Sequence, residues 1–403
     1  LMNFVRVKEK SNNYTVAFFL YATLIVDLIR KIGWGNVHVV RDVIYILVFL
    51  FIICSVYRLR NLVAAMFVAL GVSCIYIVSF LINSSYPELY LTSWTLFIMR
   101  LWPAYIIGRY LKDWDSVLNA VRHLIWIAFI YSILIIISPE VTKASYITVA
   151  SNLIYVVLLA TYSSVKQGKW FSLLLCVVCW LPMLLYGSRT MLFGILGVFF
   201  LSFLLSLKRM SFGKQLVVMT LLIACVIIIA INFDTLFKWL YDVFPTSRTL
   251  QYLVAGDIFD DSNRFVYYDR IKNSLSLYPF KVYGFLGDRI YYAEQSVDIL
   301  SVGEIESMYS HNVPLELCMN FGLLPGVFLN LYFMYKIVRC FGMLSKGNGG
   351  AFQIVFVIFL GVTLVNMIVS VSYLNEYSIW LIIGLVFHIL GRHNTKEFCQ
   401  LKC

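Results

Sequence analysis

Apolar runs alternate with short polar connections along nearly the whole chain, from Tyr14 to Leu390. Many runs approach the ~20 mostly apolar residues that an α-helix needs to cross the hydrocarbon core of a bilayer. In order they are Tyr14–Ile29, Val39–Tyr57, Leu62–Ile82, Leu89–Leu111, Ser116–Ile137, Tyr146–Thr161, Trp170–Tyr186, Thr190–Leu207 and Leu216–Asn232. A polar stretch, Phe233–Ser310, then interrupts the pattern, and Val313–Ile337, Phe352–Val371 and Tyr377–Leu390 complete it. The pattern predicts an all-α polytopic membrane protein of about 12 transmembrane helices. Nine spans fall within residues 14–232, a long loop covers 233–310, three spans fall within 311–391, and a tail covers 392–403. A single membrane domain takes in the whole chain, without internal repeats.

The placement of Lys and Arg orients the spans, because cytoplasmic connections carry the excess of positive charge. Alternate connections hold Arg6, Lys8 and Lys10; Arg58 and Arg60; Arg109 and Lys112; Lys166 and Lys169; and Lys208, Arg209 and Lys214. The series continues with Lys336, Arg339 and Lys346 and ends with Arg392, Lys396 and Lys402. The short connections between these hold only Arg30, Lys31, Lys143 and Arg189. Both termini are therefore expected in the cytoplasm, and the long loop outside it.

Composition points the same way. Of 403 residues, 61% are hydrophobic and 13% charged, and the mean hydropathy is +0.84. That leaves too little charge to cover a water-soluble protein of this length. A net charge of +11 would elsewhere suggest nucleic acid. Here the basic residues sit in connections and not on one soluble face, so membrane lipids are the expected partner and nucleic acid is excluded. Cys176 and Cys179 form a CxxC inside an apolar run, with no second pair or histidine nearby. They read as small core residues rather than a zinc or redox site. The polar, basic start up to Asn13 has no cleavable signal pattern, and Leu1-Met2 reads as a remnant ahead of the natural start.

The stretch Phe233–Ser310 mixes acidic residues, from Asp257 to Glu306, with many Tyr and Phe. Leu236–Val243 and Arg264–Leu277 are expected as amphipathic helices near the membrane surface, with turns at Gly284 and Gly287. Loops this long are usually functional, and this one is expected to be lid-like rather than a separate domain.

Ionisable groups in or against a membrane are costly and mark functional sites. Arg189 lies in a minimal outward turn, Tyr186-Gly187-Ser188-Arg189-Thr190, where positive charge is disfavoured and no acidic neighbour stands by. The next helix would direct backbone N–H groups outward there, which suits an anion; a snorkelling orientation signal is the competing reading. His311 and Asn312 stand where the loop re-enters the membrane. A neutral imidazole, with an ordinary pKa near ~6.5, can take a proton from a hydroxyl, although a lone His is more often structural. Arg264, beside Asp260 and Asp261, reads locally as an exposed ion pair. Arg100 lies deep in the fourth run and needs an anionic partner or a wet cavity. Asp27, Arg41 and Arg122 sit near run ends and read as snorkelling groups.

Three motifs in order carry a resemblance. Gly187-Ser188-Arg189 precedes an apolar helix. Asn263-Arg264 opens the long loop's main helix, followed by Tyr278-Pro279 and Tyr283-Gly284-Phe285-Leu286-Gly287. His311-Asn312 is followed by Leu315-Glu316 and Phe321-Gly322-Leu323-Leu324-Pro325-Gly326. Together they resemble the O-antigen polymerase and O-antigen ligase family of bacterial membrane glycosyltransferases. The resemblance covers roughly Leu181 to Met334; the N-terminal half matches only in having many spans.

The resemblance implies a GT-C-like fold in the bacterial inner membrane with its active site facing the periplasm. It implies glycosyl transfer without metal or cofactor, from a glycan on undecaprenyl pyrophosphate. Arg189 and Arg264 would hold the pyrophosphate, with Arg100 and Asn312 as further substrate-binding candidates, and His311 would activate or position the acceptor hydroxyl. Arginine pairs neutralise charge that builds on a departing phosphate, and one direct attack inverts the anomeric carbon. A polymerase passes the glycan to a new lipid-linked repeat unit; a ligase passes it to lipid A core. The polymerase is the expectation, and a polysaccharide chain-length regulator is a partner the resemblance allows. A lipid-linked oligosaccharide flippase is the alternative from another class, kept open by Arg100.

Overall fold

The computed structural model describes the backbone of residues 2–32, 37–55, 59–137, 146–186, 189–207, 213, 220, 232–243, 245, 248–255, 262–296, 300–345, 350–369 and 371–394. The expected ninth span, Leu216–Asn232, and the last part of the tail fall almost wholly outside these described residues. Every regular element among them is helical.

The first three runs form α1 (Met2–Ile32), α2 (Val37–Ser55) and α3 (Leu59–Ile82). The fourth run forms α4 (Pro87–Leu96), a π-helical turn over Phe97–Leu101, and α5 (Trp102–Tyr110). Pro103 has no N–H, and its ring displaces the Met99 carbonyl four residues back, so the hydrogen-bond register slips there. The fifth run is also broken, into α6 (Trp114–His123) and α7 (Ile125–Ile137), which meet at 42°. Asp113 starts α6 by accepting the Ser116 N–H (3.0 Å). Then come α8 (Tyr146–Lys166), α9 (Trp170–Tyr186) and α10 (Arg189–Leu207).

The long polar stretch holds α11 (Phe233–Val243), α12 (Arg248–Ala255), α13 (Ser262–Leu277), α14 (Gly287–Glu294) and α15 (Val302–Ser307). Two of these match the helices expected there. The chain ends in α16 (Val313–Phe321), α17 (Leu323–Leu344), α18 (Ala351–Val369) and α19 (Tyr377–Asn394).

Among the described residues, four helices are long and apolar enough to cross a membrane: Asn13–Arg30, Asn61–Ile82, Leu323–Leu344 and Ala351–Val369. The bent α6–α7 pair adds a fifth if it is one span, and α8, α9, α10 and α19 contain the shorter apolar stretches Leu153–Lys166, Trp170–Met183, Met191–Ser206 and Tyr377–Gly391. Apolar side chains on the outer faces stay uncovered by protein: Phe67 and Leu81 on α3, Trp170 on α9, Phe328 on α17. Such continuous apolar surface suits contact with lipid and not with water.

The tenth expected span, Val313–Ile337, is not one helix. It breaks at Gly322, whose φ of +86° only glycine adopts freely. A Cβ on Gly326 would overlap the Cys318 backbone. Asn330 donates to the Pro314 carbonyl (3.1 Å). The pairs 326–318 and 330–314 show α16 folded back antiparallel along the start of α17. Hydropathy cannot distinguish such a hairpin from a single span.

Side-chain contacts trace one end of the bundle. Lys166, ending α8, pairs with Asp115 at the start of α6 (2.7 Å). Arg109, ending α5, donates to the Phe387 carbonyl, and its own carbonyl meets the His388 ring late in α19 (2.7 Å). That ring stacks on Phe352 at the start of α18 (5.0 Å between centroids). From this end α9 runs away for about 25 Å, at ~1.5 Å per residue. The start of α10 therefore lies at the opposite end, where α18 finishes and α19 begins. The helices meet closely in between. Cβ atoms on Gly108 or Gly384 would overlap the Leu381 and Tyr105 carbonyls across the α5–α19 crossing, and one on Gly361 would lie 2.6 Å from the Val198 nitrogen of α10. Small residues permit this approach.

Candidate active site

The loop is stitched into the bundle rather than laid over it. Gly284, at φ +78°, passes so close to Ser79 of α3 that a Cβ would lie 2.9 Å from that side chain. The Phe285 N–H donates to the Ser79 hydroxyl (2.8 Å), and the Tyr90 hydroxyl to the Phe285 carbonyl (2.9 Å). The Gly284 N–H donates to the Asn320 carbonyl (2.8 Å) and the Leu323 N–H to the Pro279 carbonyl (2.9 Å), so the same segment closes over the α16–α17 break. Phe285, Leu286, Asp288 and Arg289 are buried as a result.

His311 occupies the bend before α16. Its φ is +51°, a region that non-glycine residues visit rarely. The bend is closed on both sides: the Ser310 hydroxyl donates to the Asn312 carbonyl (3.0 Å), and the Asp288 carboxylate accepts the Ser310 N–H (3.0 Å). Strain of this kind costs roughly 1–3 kcal/mol, persists only where neighbours enforce it, and clusters at functional sites. The ring centroid of His311 is 4.1 Å from that of Tyr309 and 6.2 Å from that of Tyr267 on α13.

Asn312 has a structural task at both ends of its amide. Its oxygen caps α16 by accepting the Leu315 N–H (2.9 Å), and its nitrogen donates to the Ile368 carbonyl at the end of α18 (2.9 Å). The Tyr268 hydroxyl of α13 approaches that same carbonyl at 3.5 Å. Both polar atoms of the Asn312 amide are thus engaged within the protein.

The side chains of Arg189 and Arg264 lie outside the described residues, but their backbone positions are described. Arg189 is the first residue of α10, at the end of the bundle where Ile368 and Asn312 meet. Arg264 stands one helical turn before Tyr267 in α13, and residues so spaced have Cβ atoms about 5–6 Å apart. The His311 bend and α13 thus meet at the end of α18, and α10 starts at the same end of the bundle. Arg100 stands close to the start of α19. It lies on the π-helical turn, donates to the Thr23 hydroxyl (3.3 Å), and sits over the Tyr377 ring (5.0 Å to the centroid). These neutral contacts tie α1 to α19 without an ion pair among the described residues.

Beneath His311 lies a buried polar network that the sequence did not announce. Arg289 donates through Nη2 to the Ser372 hydroxyl (3.0 Å) and to Asn375 Oδ1 (3.2 Å). Ser372 in turn donates to Glu316 (2.5 Å), which also accepts the Tyr373 N–H (3.2 Å). Arg289 Nε and Nη1 and Asp288 Oδ1 are buried without hydrogen-bond partners among the described residues. Burial pushes the Asp288 carboxyl above its ordinary range, and the Arg289 charge offsets this in part. The available signal was a charged Asp-Arg pair set inside the apolar segment Phe285–Ile290.

No protein-family model matches this chain, and no curated protein matches it.

Proposed function

We propose that this chain is a polysaccharide polymerase of the bacterial inner membrane. It would transfer a growing glycan from undecaprenyl pyrophosphate to a new lipid-linked repeat unit at the periplasmic face. The observation that carries the reading is that α13 and the His311 bend meet at the end of α18, on the side of the bundle where α10 starts. In this reading the bundle comprises about twelve spans, both termini are cytoplasmic, and the fold is GT-C-like. The positive end of α10, with Arg189, and the Arg264 turn of α13 receive the pyrophosphate. His311 takes the proton of the acceptor hydroxyl as its oxygen attacks the anomeric carbon. The bond to the pyrophosphate oxygen breaks on the opposite face, inverting that carbon, and the arginines neutralise the leaving group. The strained bend supports a positioned His311 over a merely exposed one.

The test uses purified protein and undecaprenyl-pyrophosphate repeat units as the sole substrate. Longer lipid-linked chains are expected. Reaction only after lipid A core is added would make the chain a ligase. Movement of the lipid across a bilayer without reaction would make it a transporter.

A further inference from the structure

Arg289 is an expensive group to bury. It is fully buried, and two of its N–H-bearing nitrogens lack partners among the described residues. Each unsatisfied buried donor costs about 1–3 kcal/mol, while the charge itself faces the buried Asp288 and Glu316 carboxyls. Its surroundings suggest another role. Nη2 is pinned by Ser372 and Asn375, in the connection between α18 and α19. The guanidinium carbon lies 5.5 Å from the centroid of the Tyr309 ring. Against the same ring lies the imidazole of His311, 4.1 Å away and inclined by 44°. Next to Arg289 in sequence, Asp288 holds the Ser310 backbone.

We propose that Arg289 is a positioning residue that sets the imidazole of His311 through the intervening Tyr309 ring, while Asp288 fixes the backbone bend that carries them. The order of contact runs from the α18–α19 connection to Arg289, then Tyr309, then His311. A rigid guanidinium fork fits this task better than a lysine, because it hydrogen-bonds in its plane and offers a flat face to an aromatic ring. The catalytic consequence rests on the glycosyl-transfer reading above; the positional claim does not.

The experiment therefore has two arms. In the first, intact protein in detergent micelles is treated with diethyl pyrocarbonate, and acylation at each histidine is followed by mass spectrometry. His388, buried at the far end of the bundle, is the internal reference. Tyr309→Leu leaves the Arg289 hydrogen bonds intact but removes the ring. It is expected to change the His311 acylation rate several-fold with His388 unchanged, while Tyr309→Phe, which keeps the ring, changes it less. Arg289→Lys is expected to change the His311 rate in the same direction as Tyr309→Leu. An unchanged His311 rate in Tyr309→Leu, or His388 moving in parallel with it, overturns the proposal. In the second arm, chain growth by Tyr309→Leu is expected to lose about 10- to 100-fold in kcat, the scale of a small misplacement, with KM within about threefold of wild type. Should wild-type protein extend no chains, the function reading fails and the acylation arm still decides the positional claim. Should wild type extend chains and Tyr309→Leu keep its kcat, the function reading stands and the catalytic role of the relay falls.

Discussion

The side-chain amide of Asn312 donates to the Ile368 carbonyl over 2.9 Å while its oxygen caps α16. One residue thus joins the His311 bend to the last turn of α18. Replacing it separates the two tasks. Asn312→Ala loses both cap and tether and is expected to lower stability by roughly 2 kcal/mol. Asn312→Ser restores an effective cap and is expected to lose only the tether, about 1 kcal/mol. Thermal unfolding of the two variants in detergent checks this; equal drops would remove the cap from the account.

The buried Asp288 carboxyl gives stability a pH dependence with a definite sign. Its folded pKa is raised by burial, with Arg289 opposing. The protonated form is therefore favoured in the folded state relative to the unfolded one. Its contribution is present at pH below the unfolded value of ~3.9 and is lost as pH rises through the folded one. Asp288→Asn stays neutral and can still accept the Ser310 N–H. The unfolding temperature of this variant relative to wild type is expected to rise as pH climbs from 4 towards 8, and the difference to shrink again near pH 4. A difference that runs the other way means that Arg289 outweighs burial.

The helical class, and the helices expected over Leu236–Val243 and Arg264–Leu277, were legible because apolar run length and periodicity report local structure directly. The hairpin of α16 and α17 was not. Phe321-Gly322 and Pro325-Gly326 lie inside an unbroken apolar run, and only the contact of Gly326 with Cys318 separates a fold-back from a crossing. The candidate residues were readable one motif at a time. What joins the His311 bend to α13 depended on α18, which carries none of the motifs yet offers the Ile368 carbonyl to Asn312 and Tyr268. Arg289 escaped notice because its burial is set by Ser372 and Asn375, some eighty residues further along the chain.

The α5–α19 crossing predicts a contrast between glycines. Gly384 faces the Tyr105 carbonyl so closely that a methyl group would overlap it, whereas a Cβ on Gly71 of α3 meets nothing within 4 Å. Gly384→Ala must push the two helices apart and is expected to cost about 1–3 kcal/mol, as overpacking does. Gly71→Ala gains helix propensity without a clash and is expected to be neutral, or stabilising by up to about 1 kcal/mol. Size-exclusion profiles after graded heating rank the two variants. Equal behaviour would remove the close approach at Gly384.

The last prediction concerns Arg189, Arg264 and His311. Arg189→Ala, Arg264→Ala and His311→Ala are each expected to abolish glycan chain growth while the protein inserts in normal amounts. The argument is electrostatic. A pyrophosphate departing at a membrane face gathers charge that lipid cannot solvate, and two planar guanidinium groups can meet it bidentately. Lysine keeps the charge but loses the fork, so Arg189→Lys and Arg264→Lys are expected to retain partial growth, with shorter chains than wild type. His311 has a different task, the acceptor proton, and neither charge nor size replaces it, so His311→Lys and His311→Gln should both be inactive. Chain-length ladders of surface polysaccharide, read beside membrane protein levels, check all of these variants together. Wild-type ladders in the three alanine variants would sink the assignment. Loss in the arginine variants with a normal ladder in His311→Ala would keep the pyrophosphate site and require another base.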